Sequence, residues 1–327
     1  MTSETMKALY LTREDAAKPP ALALLTRPKP TLTPGHILVK VHASAIHPSD
    51  ILNLKGSFGI TVFPRIPGRD FAGTIVEGPP SRIGEEVYGT SGFTQAFSED
   101  GAHAEFILVP EDAVATKPKN LSFVQAATVG VPFTTAALIL SKAGGKSGES
   151  VLVLGASGAV GSAVVQIAKS LGCRVLLGTR NDTGDVNTAK DPDLNALDAL
   201  TKGKGVDVVV DTVGQPALTR ASVLKLGRAG RLAFITAPRG GAPGSTELGI
   251  EMLDFYRNEK SLIGINSILY SAPYFAKELK AMAPKFEDGS LKAAVEGEWN
   301  EVPLADAVGA YEKSGQRGAG KFVVVME

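Results

Sequence analysis

The sequence predicts an α/β protein in which a doubly wound parallel sheet is joined to a second, β-rich domain. Three observations carry that expectation. Residues 151–171, VLVLGASGAVGSAVVQIAKSL, read as an apolar strand, a glycine-rich turn and an amphipathic helix. Around them, strand candidates at 151–154, 174–177, 206–211, 230–236 and 261–265 alternate with helical stretches, the order of a parallel sheet with right-handed crossovers. Residues 1–120, by contrast, are rich in short alternating runs and turn residues, and the tail ends on a strand candidate at 322–326. The expected organisation is a β-rich domain of residues 1–120 and 290–327 enclosing a sheet-and-helix domain of residues 121–289.

In the first segment, residues 6–11 form a short strand candidate, and residues 36–44 alternate, placing Ile37, Val39, Val41 and Ala43 on one face. Residues 71–77 and 104–109 are further candidates, separated by the turn signals Pro34-Gly35, the glycine-rich loop 56–68 and Gly78-Pro79-Pro80. At Ser122 the pattern becomes helical. The serine can cap a run holding Val124, Ala127, Ala137, Leu138 and Leu140, which closes at Gly144-Gly145. After the strand at 151–154, Val160, Val164, Ile167, Ala168 and Leu171 share a helix face, with Gly172 as its C′ residue. Only residues 178–205 join the second strand to the third. They hold one helix candidate, 193–201, capped by Asp191 with Pro192 at N1. Helix candidates at 273–286 and 304–313 precede the final strand.

The turn after the first strand of the sheet carries the chemistry. Ala156-x-Gly158-x-x-Gly161, with Gly155 one place earlier, is a variant of the dinucleotide-binding fingerprint. Gly158 lets the backbone approach a pyrophosphate, Gly161 lets the helix pack closely, and the helix N-terminus offers N–H groups and positive dipole. About twenty residues on, where an enzyme that binds a ribose 2′-hydroxyl usually carries an acid, stands Gly178-Thr179-Arg180-Asn181. A guanidinium there suits a 2′-phosphate, so the residues point to NADPH, while Asp182, two places late, leaves NAD open.

Composition narrows the classes further. Lys and Arg (34) balance Asp and Glu (34), so nothing attracts nucleic acid or an anionic membrane. One cysteine, Cys173, can build neither a disulfide framework nor a cysteine-rich metal site. No apolar run has the length of a membrane span, and the first residues lack a signal core. The expectation is a soluble, cytoplasmic protein acting on a small molecule.

Set in this order, several segments resemble the medium-chain dehydrogenase/reductase superfamily, and within it the zinc-free quinone oxidoreductase (zeta-crystallin-like) branch, over essentially the whole chain. They are Ala45-Ile46-His47-Pro48-Ser49-Asp50, the stretch IPGRDFAG at 66–73, GAHAE at 101–105, the glycine turn, GKGVDVVVDTVG at 203–214, and Gly320-Lys321. The resemblance implies a Rossmann domain plus a GroES-like catalytic domain. At the three places where zinc-dependent relatives carry catalytic ligands this chain has His47, Arg69 and Val131. An arginine and a valine do not bind zinc, so no metal is expected.

Without that electrophile, hydride addition to a conjugated acceptor is easier than alcohol oxidation. The resemblance implies NADPH-dependent reduction of quinones or α,β-unsaturated carbonyls. An enoyl-thioester reductase and a non-catalytic NADPH-binding protein are the alternatives. Ser157, Gly158, Ala159, Val160 and Gly161 match the phosphate turn, and Gly178, Thr179 and Arg180 the adenosine-ribose corner. Thr212-Val213-Gly214 and Thr236-Ala237 follow strands at their C-terminal ends, where open α/β sheets bind ligands. Lys321 joins this cofactor set, and Thr135 matches a threonine of the nicotinamide pocket. His47 stands for the Asn of an Asn-Pro-x-Asp segment near the nicotinamide, while Leu52 and Phe58 replace frequent tyrosines. That leaves His47, Tyr270 or solvent as proton donor. Asp50 and Asp70 are expected to hold loop backbones, and His36, His42 and His103 to be ordinary polar residues. The apolar segment 261–269 is the expected edge strand and, as in relatives, the seam of a homodimer.

Overall fold

The structure, a computed structural model, describes residues 4–15, 17–238, 245–294, 297–316 and 320–326. It divides into two compact units, Met1–Thr134 with Ile268–Glu327, and Thr135–Ser267. In chain order the strands and helices are β1 (Thr5–Thr12), β2 (Ala21–Pro28), β3 (His36–Ile46), α1 (Pro48–Leu54), β4 (Phe71–Glu77), β5 (Glu86–Gly89), β6 (Phe106–Pro110), β7 (Val114–Thr116) and α2 (Phe123–Ala127). Then come α3 (Gly130–Ala143), β8 (Ser150–Leu154), α4 (Ala159–Ser170), β9 (Arg174–Thr179), β10 (Val186–Asn187), α5 (Ala196–Leu200), β11 (Val206–Asp211), α6 (Pro216–Leu224), β12 (Leu226–Phe234), α7 (Met252–Arg257) and β13 (Ser261–Gly264). The chain ends with α8 (Ala272–Glu287), β14 (Trp299–Pro303), α9 (Ala307–Ser314) and β15 (Lys321–Val325).

In the first unit β3 is the central strand. β4 pairs along one edge of it, and β6 and β15 share the other, all antiparallel. The sheet runs β14-β15-β3-β4-β5-β7. Ile37, Val39, Val41 and Ala43 are fully buried, as their alternation predicts, and pack with Phe71, Ile75, Val87 and Val324. β1 and β2 form a separate antiparallel hairpin. β2, β5, β7 and β14 had no counterpart in the sequence reading. They are short or half exposed, and pairing rather than local pattern defines them. The partition also falls elsewhere than residues 121 and 290. α2 packs on β3 and β4, and α8 is tied to the first unit by Tyr88 Oη donating to Leu279 O (2.9 Å) and Asn120 Nδ2 to Phe286 O (2.8 Å).

The second unit holds a six-stranded sheet, β10-β9-β8-β11-β12-β13, in which every pairing is parallel. The order reverses beside β8, so the turn after β8 lies at the topological switch point. β8 is central, and Val151, Leu152, Val153 and Leu154 are all fully buried.

Two expectations change here. The helix predicted over 193–201 is only Ala196–Leu200, because Leu194 takes a left-handed φ of 57° and breaks its first turn. Asp191 still caps it, accepting the Ala196 N–H at 2.9 Å. The same crossover adds β10, which extends the sheet beyond β9. At the other edge the strand predicted to 269 ends at Gly264, and Ser267–Leu269 is a 3-10 turn. Among the described residues no helix is long and apolar enough to cross a membrane.

Candidate functional site: a nucleotide turn and a buried histidine centre

In the second unit, β8 delivers the chain into a turn closed by Gly158 N–H donating to Gly155 O (2.9 Å). Gly158 is the N-cap of α4 and provides no side chain to cap it. The first helical bond is Ser162 N–H to Gly158 O (2.8 Å). Among the described residues nothing accepts from the N–H groups of Ala159, Val160 and Gly161. Three donors at the positive end of a 12-residue helix are a phosphate cradle. A Cβ on Gly161 would run into the Gly155 carbonyl oxygen, so only glycine lets α4 sit this close to the turn. Such a turn suits the pyrophosphate that the fingerprint leads one to expect over Ser157–Gly161.

The tip of β9 is the second part. Thr179 is buried and its hydroxyl donates to Asn181 O (2.8 Å). Arg180 is exposed and, among the described residues, forms no hydrogen bond or ion pair. Asp182 is engaged: Lys190 Nζ lies 2.6 Å from Oδ2, Asn187 Nδ2 donates to Oδ1 at 2.8 Å, and both hold its carboxyl below the usual range. Next to this corner, buried Asp211 shapes the turn after β11. Its Oδ1 accepts the N–H groups of Val213 (2.8 Å) and Gly214 (2.9 Å), and its Oδ2 the Thr219 hydroxyl (2.6 Å). Thr212 Oγ1 donates to Leu154 O at 2.8 Å, tying that turn to the end of β8. Thr236 and Ala237 follow β12 as predicted, and the Thr236 backbone lies against Gly214. The role of Asp211 was not legible because an acid at a strand end has no motif of its own.

The first unit holds a buried centre around His47, which is 2 % exposed. His47 Nε2 donates to Asp70 Oδ2 at 2.7 Å, and Asp70 is fully buried. The same oxygen accepts the Val131 N–H (2.7 Å), and Oδ1 accepts the Thr90 hydroxyl (2.5 Å). Gly130, first residue of α3, lets that helix end abut the carboxylate, since a Cβ there would stand 2.5 Å from Asp70 Oδ1. The N-terminus of α3 thus abuts Asp70. Asp50 caps α1, accepting the His47 N–H at 2.7 Å, with its carboxyl pushed up by burial.

Arg69 is 4 % exposed. Its Nε donates to Ser91 Oγ (2.7 Å), its Nη1 to Ser49 Oγ (2.9 Å), and its guanidinium stands 5.3 Å from the centre of the Phe97 ring. Asp70 therefore does more than hold a loop: it orients the histidine. Its place before β4 gave no sign of that. Trp299, edge-on to His47 at 5.7 Å, was likewise missed, since β14 meets β3 only through β15.

Of the remaining predicted residues, Lys321 pairs with Glu298 and lies 5.6 Å from the Trp299 ring centre. Tyr270 stacks with Tyr274 (4.7 Å) at the start of α8. Thr135 is a buried residue of α3 whose hydroxyl, among the described residues, has no hydrogen-bond partner. His103 is not an ordinary polar residue. It is fully buried and hydrogen-bonded to Tyr311 Oη at 2.9 Å, and burial pushes its pKa down to about 3.

The donor set does not suit zinc. Among the described residues no group of three His, Cys, Asp or Glu side chains converges, both Asp70 oxygens are in use, and Arg69 contributes a cation.

Known proteins repeat both units. The family model described as alcohol dehydrogenase GroES-like domain matches residues 33–119, and the one described as zinc-binding dehydrogenase matches residues 159–285. A zinc-type alcohol dehydrogenase-like protein of Schizosaccharomyces pombe is 43% identical over 99% of this chain and 98% of its own. The quinone oxidoreductase of Mus musculus is 30% identical over 89% of each chain. The quinone oxidoreductase structure from Coxiella burnetii shares the fold, with a TM-score of 0.73 and 24% identity over 99% of this chain and 100% of its own.

Proposed function

Because this chain belongs to the medium-chain dehydrogenase/reductase superfamily, in its quinone-oxidoreductase branch, we propose that it is an NADPH-dependent, zinc-independent reductase of quinones or α,β-unsaturated carbonyls. The observation that carries this reading is the centre around His47: a hydrogen-bonded His–Asp pair next in sequence to a buried arginine, at positions where zinc relatives hold a metal. NADPH, when bound, supplies the hydride. The residues of the chain do the rest. Ser157–Gly161 hold the pyrophosphate, with the free N–H groups of Ala159, Val160 and Gly161, and Arg180 meets the 2′-phosphate because Asp182, its acidic competitor, is paired with Lys190. His47, oriented through Nε2 by Asp70, positions the substrate or supplies the proton. The buried carboxylate holds the ring in place, as an orienting aspartate does in other His-based sites.

A panel of quinones, enones and coenzyme A thioesters, followed by NADPH oxidation, tests the reading. Turnover of quinones or enones that survives chelator and dialysis is the expected result. Turnover that depends strongly on the thioester handle would instead favour an enoyl-thioester reductase. NADPH binding with no turnover across the panel would mark a non-catalytic binding protein.

A further inference from the structure

Arg69 is a buried cation with no carboxylate bonded to it; Asp50 reaches it only through space. Among the described residues no carboxylate lies within ion-pair distance of it, and its polar contacts are the two serine hydroxyls and the Phe97 ring face. A buried guanidinium is costly unless its charge and its N–H groups are met, and here the direct polar contacts leave part of it without an acceptor. The other buried arginine of this unit, Arg65, is different. Its Nε and Nη1 are sealed and unpartnered, and burial pulls its pKa to about 10. No nitrogen of Arg69 is both sealed and unpartnered, so the guanidinium edge without a protein acceptor opens to accessible space. That edge lies beside half-exposed Ser49, two residues from His47 in α1. Stacking on Phe97 and two short hydrogen bonds fix the plane of the guanidinium, leaving its free N–H groups pre-aimed.

We propose that Arg69 is a catalytic residue that binds the substrate oxygen on which negative charge develops, taking over the electrostatic task of a metal ion. The inference rests on the reductase reading for its chemistry. When a hydride adds to the β-carbon of an enone, the C=C pair shifts toward the carbonyl and the oxygen becomes an enolate oxygen. NADPH becomes NADP+ in that hydride step, and a proton from His47, Tyr270 or solvent then adds to the α-carbon to complete the reduction. In a quinone the same charge falls on a carbonyl oxygen. A fixed guanidinium next to that oxygen lowers the barrier with no reorganisation at the moment of reaction.

The test reads oxyanion binding without turnover, so it separates this inference from the reductase reading. 4-Nitrophenol, titrated near its own pKa and followed by absorbance, reports whether the protein takes it as phenol or as phenolate. The wild-type protein should favour the phenolate. Arg69→Gln should weaken phenolate binding by about ten- to a hundredfold, and Arg69→Lys by less, because it keeps the charge but not the fork. In turnover, Arg69→Gln should lower kcat by about a hundred- to a thousandfold, and free guanidinium should restore part of the activity of Arg69→Ala. Equal binding of the phenolate by wild type and a folded Arg69→Gln variant would overturn the assignment, as would no preference for phenolate in the wild type. If phenolate is bound through Arg69 but no quinone or enone is turned over, the reductase reading fails and the oxyanion site stands.

Discussion

His47 is held on one side by the Asp70 carboxylate and stacked edge-on by Trp299 on another, so its ring has one orientation. If it positions or protonates the substrate, His47→Ala should lower kcat by about ten- to a thousandfold while NADPH affinity changes far less, because the phosphate cradle is elsewhere in the chain. His47→Asn keeps a hydrogen-bonding group without a titratable one. Activity kept in Asn and lost in Ala means positioning, and wild-type kcat and pH profile in both means His47 does neither. His103 makes a prediction about stability. Burial holds its pKa at about 3 against an ordinary 6.5, so the unfolded chain takes up a proton that the folded chain refuses. This contribution is complete above pH 6.5 and is lost as pH falls toward 3. Denaturant unfolding at a series of pH values should show a shallower acid loss in His103→Gln than in wild type. Identical slopes would count against a neutral buried imidazole.

The elements that matter most are α4 with its glycine turn and the crossover after β9. The crossover is short, yet it places β10, Asp182 and Lys190 beside the cofactor-side end of β9, where a longer connection would put a helix. Cofactor choice is therefore expected to depend on Arg180 and on the Asp182–Lys190 pair together. Fluorescence titration should show NADPH bound more tightly than NADH, with Arg180→Ala reducing the ratio by about tenfold. Lys190→Ala should raise NADH affinity by releasing Asp182 to a ribose hydroxyl. Equal binding of the two cofactors by wild type, or an unchanged ratio in Arg180→Ala, would refute the assignment.

At the scale of the whole molecule, β13 is the edge strand of the six-stranded sheet. Its only strand partner among the described residues is β12, and on the preceding helix Met252 and Tyr256 are 76% and 66% exposed. A half-apolar edge with an apolar neighbour invites pairing with a second copy. We expect a homodimer that light scattering at micromolar concentration detects, and Ile263→Lys should shift it to monomer. A wild-type monomer would exclude this seam. The predicted seam is shorter than the sequence implied, because the strand ends at Gly264 and Leu269 belongs to the 3-10 turn.

What the sequence determined by itself is local. Strand, glycine turn and helix over 151–171 follow from apolar run, glycine spacing and 3.6-residue period, and each of these acts between near neighbours. The alternation in β3 and the succession of strands and helices along residues 151–265 were legible for the same reason. What only the tertiary structure decided is which distant residues meet. Asp70 receives His47, Thr90 and Val131 from three separate segments of chain, and Trp299 arrives from the tail. Arg69 became a candidate only when its burial and its lack of a carboxylate could be seen together. Charge burial is a property of packing, summed over elements far apart in sequence, and no periodicity or motif records it.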